Sequence, residues 1–69
     1  MVDIWKFAKN LPNIDIETKA GEKFQGKVVA VFDAEESGED ADNIAVEMEN
    51  GEIVSFYANE INSAKEVLR

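Results

Sequence analysis

The chain has neither cysteine nor histidine among its 69 residues. The first absence removes disulfides, thiolate nucleophiles and thiolate metal sites; the second removes the commonest general base and metal ligand. No apolar run reaches the ~18 residues that a membrane span needs. The opening Met-Val-Asp-Ile-Trp-Lys-Phe also lacks a long apolar core and a cleavage signature, so a cytoplasmic protein without membrane association is expected. Bases are missing from one stretch in particular. Residues 33–52 hold nine acids (Asp33, Glu35, Glu36, Glu39, Asp40, Asp42, Glu47, Glu49, Glu52) and no Lys or Arg, while the remainder is nearly balanced and the net charge is −8. A field of that sign repels phosphate backbones and attracts basic partners or cations.

Hydrophobic residues make up 45% of the chain and charged residues 32%, the composition of a soluble globule and not of a disordered tail. A single domain over residues 1–69 is expected. At this length it buries only about 60% of its unfolded surface, so oligomerisation would add needed stability.

The stretch from Gly21 to Ala34 organises the rest. Its run Val28-Val29-Ala30-Val31-Phe32 is β-branched and aromatic, which predicts a strand. Strict alternation puts Phe24, Val28, Ala30 and Phe32 on one face and Val29 and Val31 on the other. A strand apolar on both faces must be covered twice, and in so short a chain a long strand bent at a glycine would serve both sheets of a small barrel.

Elsewhere the patterns are simpler. Asp3 is a candidate N-cap, and Ile4, Phe7, Ala8 and Leu11 recur at helical spacing, predicting a helix over 3–11 that Pro12 ends, with Trp5 and Phe7 as packing residues. Ile14, Ile16 and Thr18 alternate with Asp15, Glu17 and Lys19 as a half-buried strand. Ala34 to Asp42 reads as a solvated loop. Asp33 could open a calcium loop, but the twelfth position falls on Ile44, where a bidentate Glu is needed. Asn43–Glu49 and Glu52–Ala58 form a hairpin. A three-residue turn with Gly51 as the bulge would pair Val46 with Val54 and Ile44 with Phe56, leaving Ile53 and Tyr57 outward and in need of a cover. Asn59–Ser63 reads as a turn, and residues 64–68 as a last strand, although Ile61, Ala64, Lys65 and Leu68 also fit a helix.

This order, a short N-terminal helix and then five strands over about 14–68, predicts a mainly β, five-stranded SH3-like barrel. It resembles the Sm-like superfamily, which includes the bacterial Hfq proteins. Gly21-Glu-Lys-Phe-Gln-Gly26 is similar to the family's paired-glycine element, and Val28 to Asp33 to the strand that ends in its Asp, one residue longer here. Phe56-Tyr57-Ala58-Asn59-Glu60-Ile61 is similar to its second motif. The resemblance implies a ring built by edge-strand pairing and binding of single-stranded RNA through the two motif loops, here Ser37, Tyr57 and Asn59. Yet Ala58 and Asn59 stand where Hfq proteins show a Lys and a His, and the cations that release counterions from phosphate are missing. Lys19, Lys23 and Lys27 read as a solvated strand face.

Catalysis is not expected. Ser37, Ser55 and Ser63 have no base, the carboxylates cluster where nothing apolar would separate their pKa values, and no glycine-rich phosphate loop appears. No cofactor or metal is expected either. The favoured reading is a non-enzymatic module that self-assembles through Val29, Ile53 and Tyr57 and offers Glu35, Glu36, Glu39, Asp40 and Asp42 to a basic protein partner. RNA binding in the Sm manner, and mimicry of nucleic acid by the acidic segment, are the alternatives.

Overall fold

The computed structural model describes residues 3–38 and 40–68, with Glu36 and Ser37 through their backbone alone. The protein is mainly β. Five antiparallel strands, β1 (Asn13–Thr18), β2 (Lys23–Phe32), β3 (Asn43–Met48), β4 (Ile53–Tyr57) and β5 (Ile61–Glu66), form one sheet in the order β4-β3-β2-β1-β5. A 3₁₀ turn at Ile4–Phe7 precedes them, a one-turn helix α1 (Ala34–Ser37) joins β2 to β3, and a second 3₁₀ turn (Ala58–Glu60) joins β4 to β5.

Two hairpins of the same design build the sheet. Gly21 N–H donates to the Thr18 carbonyl and Thr18 N–H to the Glu22 carbonyl; Gly51 N–H donates to the Met48 carbonyl and Met48 N–H to the Glu52 carbonyl. Each is a three-residue loop closed by a glycine at φ near +90° (88° and 89°), a conformation that side chains with a Cβ resist. The second turn sets the expected register, Val46 opposite Val54 and Ile44 opposite Phe56. Alternation then carries Ile14 and Ile16 of β1, Val28 of β2, Ile44 and Val46 of β3 and Phe56 of β4 into one core, which Ile4, Phe7, Ala58 and Ile61 complete.

The sheet does not close, since β4 and β5 stand at its opposite edges. It does curl. The Phe24 ring of β2 lies 5.0 Å from the Phe56 ring of β4, with β3 between their strands, and Lys19 N–H reaches the Glu60 carbonyl at 2.9 Å. Gly26 allows the close approach of β2 to β3. A Cβ there would lie 2.5 Å from Val46 Cγ1 and 2.6 Å from the Glu47 carbonyl oxygen.

Several expectations need correction. The register of β2 slips between Val28 and Ala30, at Val29 and not at a glycine. The extra residue reverses the alternation, so Val31 packs on the core while Ala30 and Phe32 face outward. The expected helix over 3–11 is a single 3₁₀ turn. Asp3 caps it as anticipated, accepting from Trp5 N–H, but it ends at Phe7, and Leu11 lies beyond it with φ 48°. The segment after Asp33 is not all loop: Asp33 Oδ1 accepts from Glu35 N–H at 2.7 Å and starts α1, which Gly38 ends. The last strand begins at Ile61, three residues before the expected start, and the turn before it is correspondingly short.

Candidate functional site

Where the register aligns residues across neighbouring strands, their side chains share a face. On the outer face of β2-β3-β4 this produces three rows: Lys27–Glu47–Ile53, Ala30–Ala45–Ser55 and Phe32–Asn43–Tyr57. The middle row is small, and the last sets an aromatic ring on either side of an asparagine. Phe32 is 42% exposed and Tyr57 38%, whereas Asn43 and Ala45, on the same face, are buried. Two partly exposed rings thus flank a buried asparagine, and Ile53, 59% exposed, lies at the other end of β4.

Asp42 ties this corner together. Its Oδ2 accepts from the Trp5 indole N–H at 2.9 Å, its Oδ1 from Ala34 N–H at 2.9 Å, and its carbonyl from Ala58 N–H at 2.8 Å. The N-terminal turn, the start of α1 and the β4–β5 connection therefore meet at one residue. The Trp5 indole first, and the Ala34 amide second, hold the Asp42 carboxyl below its ordinary value. Trp5, 43% exposed, is thus a third aromatic at the same corner, serving a hydrogen bond where the sequence suggested simple packing. The chain matches no family model, no curated protein and no solved structure.

The residues singled out from sequence fall into two groups. Tyr57 ends β4 and Asn59 lies exposed in the second 3₁₀ turn, and Asp42 brings that turn beside the start of α1. Ser37 is the last residue of α1, its side chain outside the described residues. Of the acids, Glu35 and Asp40 are exposed, Asp42 is half-buried and engaged, Glu39 lies outside the described residues, and so does the side chain of Glu36. Val29, the extra residue of the bulge, is half-buried, and Ile53 is on the edge strand β4. Sequence reasoning missed Phe32, Trp5 and the role of Asp42.

The opposite end of the sheet offers a different surface. A concavity of about 270 Å³ is lined by Asp15, Glu17, Lys23, Gln25, Ser63 and Lys65. There the register puts Asp15 between Gln25 and Lys65, and Glu17 between Lys23 and Ser63. Opposite charges already face one another across strands, which leaves little unbalanced field for a ligand. Among the described residues, no three Asp or Glu side chains are grouped to hold a metal ion. No helix among them is long and apolar enough to cross a membrane.

Proposed function

We propose that this chain is a divergent Sm-like, SH3-like barrel module without catalytic activity, which assembles with copies of itself through the edges of its sheet and binds basic protein partners through its acidic surface. The observation that supports the reading most directly is the strand order. A single curled sheet with β4 and β5 at its edges presents two backbone rims to other strands, and β4 carries the exposed Ile53 and Tyr57. An antiparallel or parallel pairing of one copy's β4 with the next copy's β5 is heterologous, so repetition closes into a ring or runs on as a filament. Such assembly would also compensate for the small core of a 69-residue domain.

The acidic half of the reading rests on charge. Residues 33–52 contain no base, and Glu35 and Asp40 lie exposed in the β2–β3 connection. A polyanion would meet that field as repulsion. Light scattering behind size exclusion, at low salt with and without a uridine-rich oligomer, tests the reading. The expected result is a mass of several copies, unchanged by RNA, that falls towards one copy in Tyr57→Glu. A monomeric wild-type protein, or a Tyr57→Glu variant of unaltered mass, defeats the assembly half. A complex with RNA that survives physiological salt defeats the preference for basic partners.

A further inference from the structure

We propose that Glu60 is a built-in cap on the edge of β4, which restrains strand addition there for as long as its carboxylate holds the Tyr57 amide. The inference rests on the edge-assembly reading above and adds the residue that limits it.

Antiparallel strands bond to a given neighbour through every second residue. On β4 the bonds to β3 fall at even positions. Met48 N–H donates to the Glu52 carbonyl at one end and Ala58 N–H to the Asp42 carbonyl at the other, with an unbroken register from Glu47 opposite Ile53 to Asn43 opposite Tyr57. The backbone N–H and C=O groups of Ile53, Ser55 and Tyr57 therefore point away from β3, to the rim where no further strand of this chain follows. An incoming strand has only these residues to bond along β4.

The Tyr57 position is already taken. Its N–H donates to Glu60 Oε1 at 2.7 Å, so the carboxylate fills the role that a carbonyl of an added strand would play. The second 3₁₀ turn fixes Glu60 for this: its own carbonyl accepts from Lys19 N–H at 2.9 Å, and Ile61 N–H closes on the Ala58 carbonyl. A strand laid along the whole of β4 must displace the carboxylate; one that leaves it in place gains no bond from the Tyr57 amide. The β5 edge carries no such cap. Val67 N–H donates to the Asn13 carbonyl, so by the same alternation Ala64 and Glu66 turn their backbone groups outward, and no side chain among the described residues caps them. The two rims are thus unequal, and the capped one carries Ile53 and Tyr57. Glu60 also completes its own 3₁₀ turn, a local role that by itself would leave association between copies untouched.

Light scattering over a dilution series, at physiological salt, compares the full 69-residue chain with Glu60→Ala and Glu60→Gln. Glutamine keeps an oxygen acceptor for the Tyr57 amide and loses the charge; alanine loses both. Glu60 is exposed and outside the core, so both variants should keep the fold, which circular dichroism checks. Glu60→Ala should associate about five- to tenfold more tightly than wild type, the worth of about one hydrogen bond, with Glu60→Gln closer to wild type. Hydrogen exchange at the Tyr57 amide, in protein dilute enough to be dissociated, should be faster in Glu60→Ala. Association of Glu60→Ala no tighter than wild type, or unchanged Tyr57 exchange, would overturn the proposal. Equal tightening by both variants would overturn it too, assigning the effect to like-charge repulsion. A multimeric wild type that both variants merely match defeats the cap and leaves assembly standing, whereas three proteins monomeric at every concentration defeat both.

Discussion

Replacing Gly26 by alanine should cost this small domain a large share of its stability. In an ordinary strand the change is favourable, since alanine gives up less backbone freedom on folding, by about 0.5–1 kcal/mol, and its buried methyl adds about 0.8 kcal/mol. At Gly26 the methyl has nowhere to go. It would lie 2.5 Å from Val46 Cγ1 and 2.6 Å from the Glu47 carbonyl oxygen. Val46 is fully buried and cannot swing aside, and Glu47 O belongs to the strand β3 itself. Overfilling a packed site by one carbon costs about 1–3 kcal/mol. Here part of the clash is with backbone, so β2 and β3 must also separate and weaken ladder hydrogen bonds of about 1 kcal/mol each. The net expectation is destabilisation by about 2 kcal/mol, out of a total that for 69 residues is of order 3–10 kcal/mol.

Thermal unfolding followed by circular dichroism reads this directly: about 2 kcal/mol corresponds to a fall in Tm of about 8–16 °C in a domain of this size. Gly21→Ala is the internal comparison. Nothing lies within 4 Å of its Cβ position, and only its φ of 88° opposes the substitution, for a cost near 1 kcal/mol. A second check is the double variant Gly26→Ala with Val46→Ala. Trimming Val46 removes one of the two clashes, so the pair should be less destabilised than the sum of the singles by about 1 kcal/mol. A Gly26→Ala protein with wild-type Tm, or effects that simply add, would refute the close approach of β2 to β3.

The remaining expectations concern the N-terminal turn, the Asp42 corner and the acidic connection. Leu11, with φ 48°, occupies a backbone region that favours glycine, so Leu11→Gly should be more stable than Leu11→Ala by about 1 kcal/mol in urea unfolding, the reverse of the usual order; a less stable glycine variant would show that the left-handed geometry is absent. Because the Trp5 indole and the Ala34 amide lower the Asp42 pKa, its contribution is fully present above its ordinary 3.8 and fades as pH drops through the lower folded value. Asp42→Asn should therefore lose less stability than wild type as the pH falls below 3.8, and identical acid profiles would remove Asp42 from that role. Neutralising Glu35, Glu36, Glu39 and Asp40 together should leave Tm within a few degrees of wild type if the acids of this connection are solvated, as Glu35 and Asp40 are; a large fall would point to an ion held by the connection.

The parts of this fold that were legible in the sequence are those fixed by local chemistry. Glu49-Asn50-Gly51 determines its own hairpin because a glycine at positive φ sets the register of both flanking strands, and Asn50 Oδ1 accepting from Glu52 N–H at 2.9 Å holds the turn. Ile14 and Ile16 alternate cleanly with charged residues and so declare their face. By contrast, Val28 to Phe32 is apolar at every position, and a period-two pattern contains no information about parity in such a run. The bulge at Val29 could not be placed, and with it the outward turn of Phe32 was lost. The N-terminal periodicity through Leu11 misled for a different reason: Ile4 and Phe7 reach the core within one turn, and the residue before Pro12 is sterically barred from continuing a helix. Residues 61–66 fit either spacing, and pairing with β1 decides for a strand.

The acidic connection shows why composition alone misreads a site. Asp33 to Asp42 looks uniformly solvated, because six of its ten residues are acidic and none is apolar beyond alanine. Yet its two terminal aspartates do different work from the exposed Glu35 and Asp40. Asp33 starts α1 by accepting a backbone N–H, and Asp42 accepts from the N-terminal turn and from α1 at once. Their charges are spent on donors within the protein, so they should add less to the field a partner meets than Glu35 or Asp40 does. Any partner surface on this protein must accordingly be assigned by side-chain geometry. That separates the acids available for recognition from those that hold the aromatic corner in place.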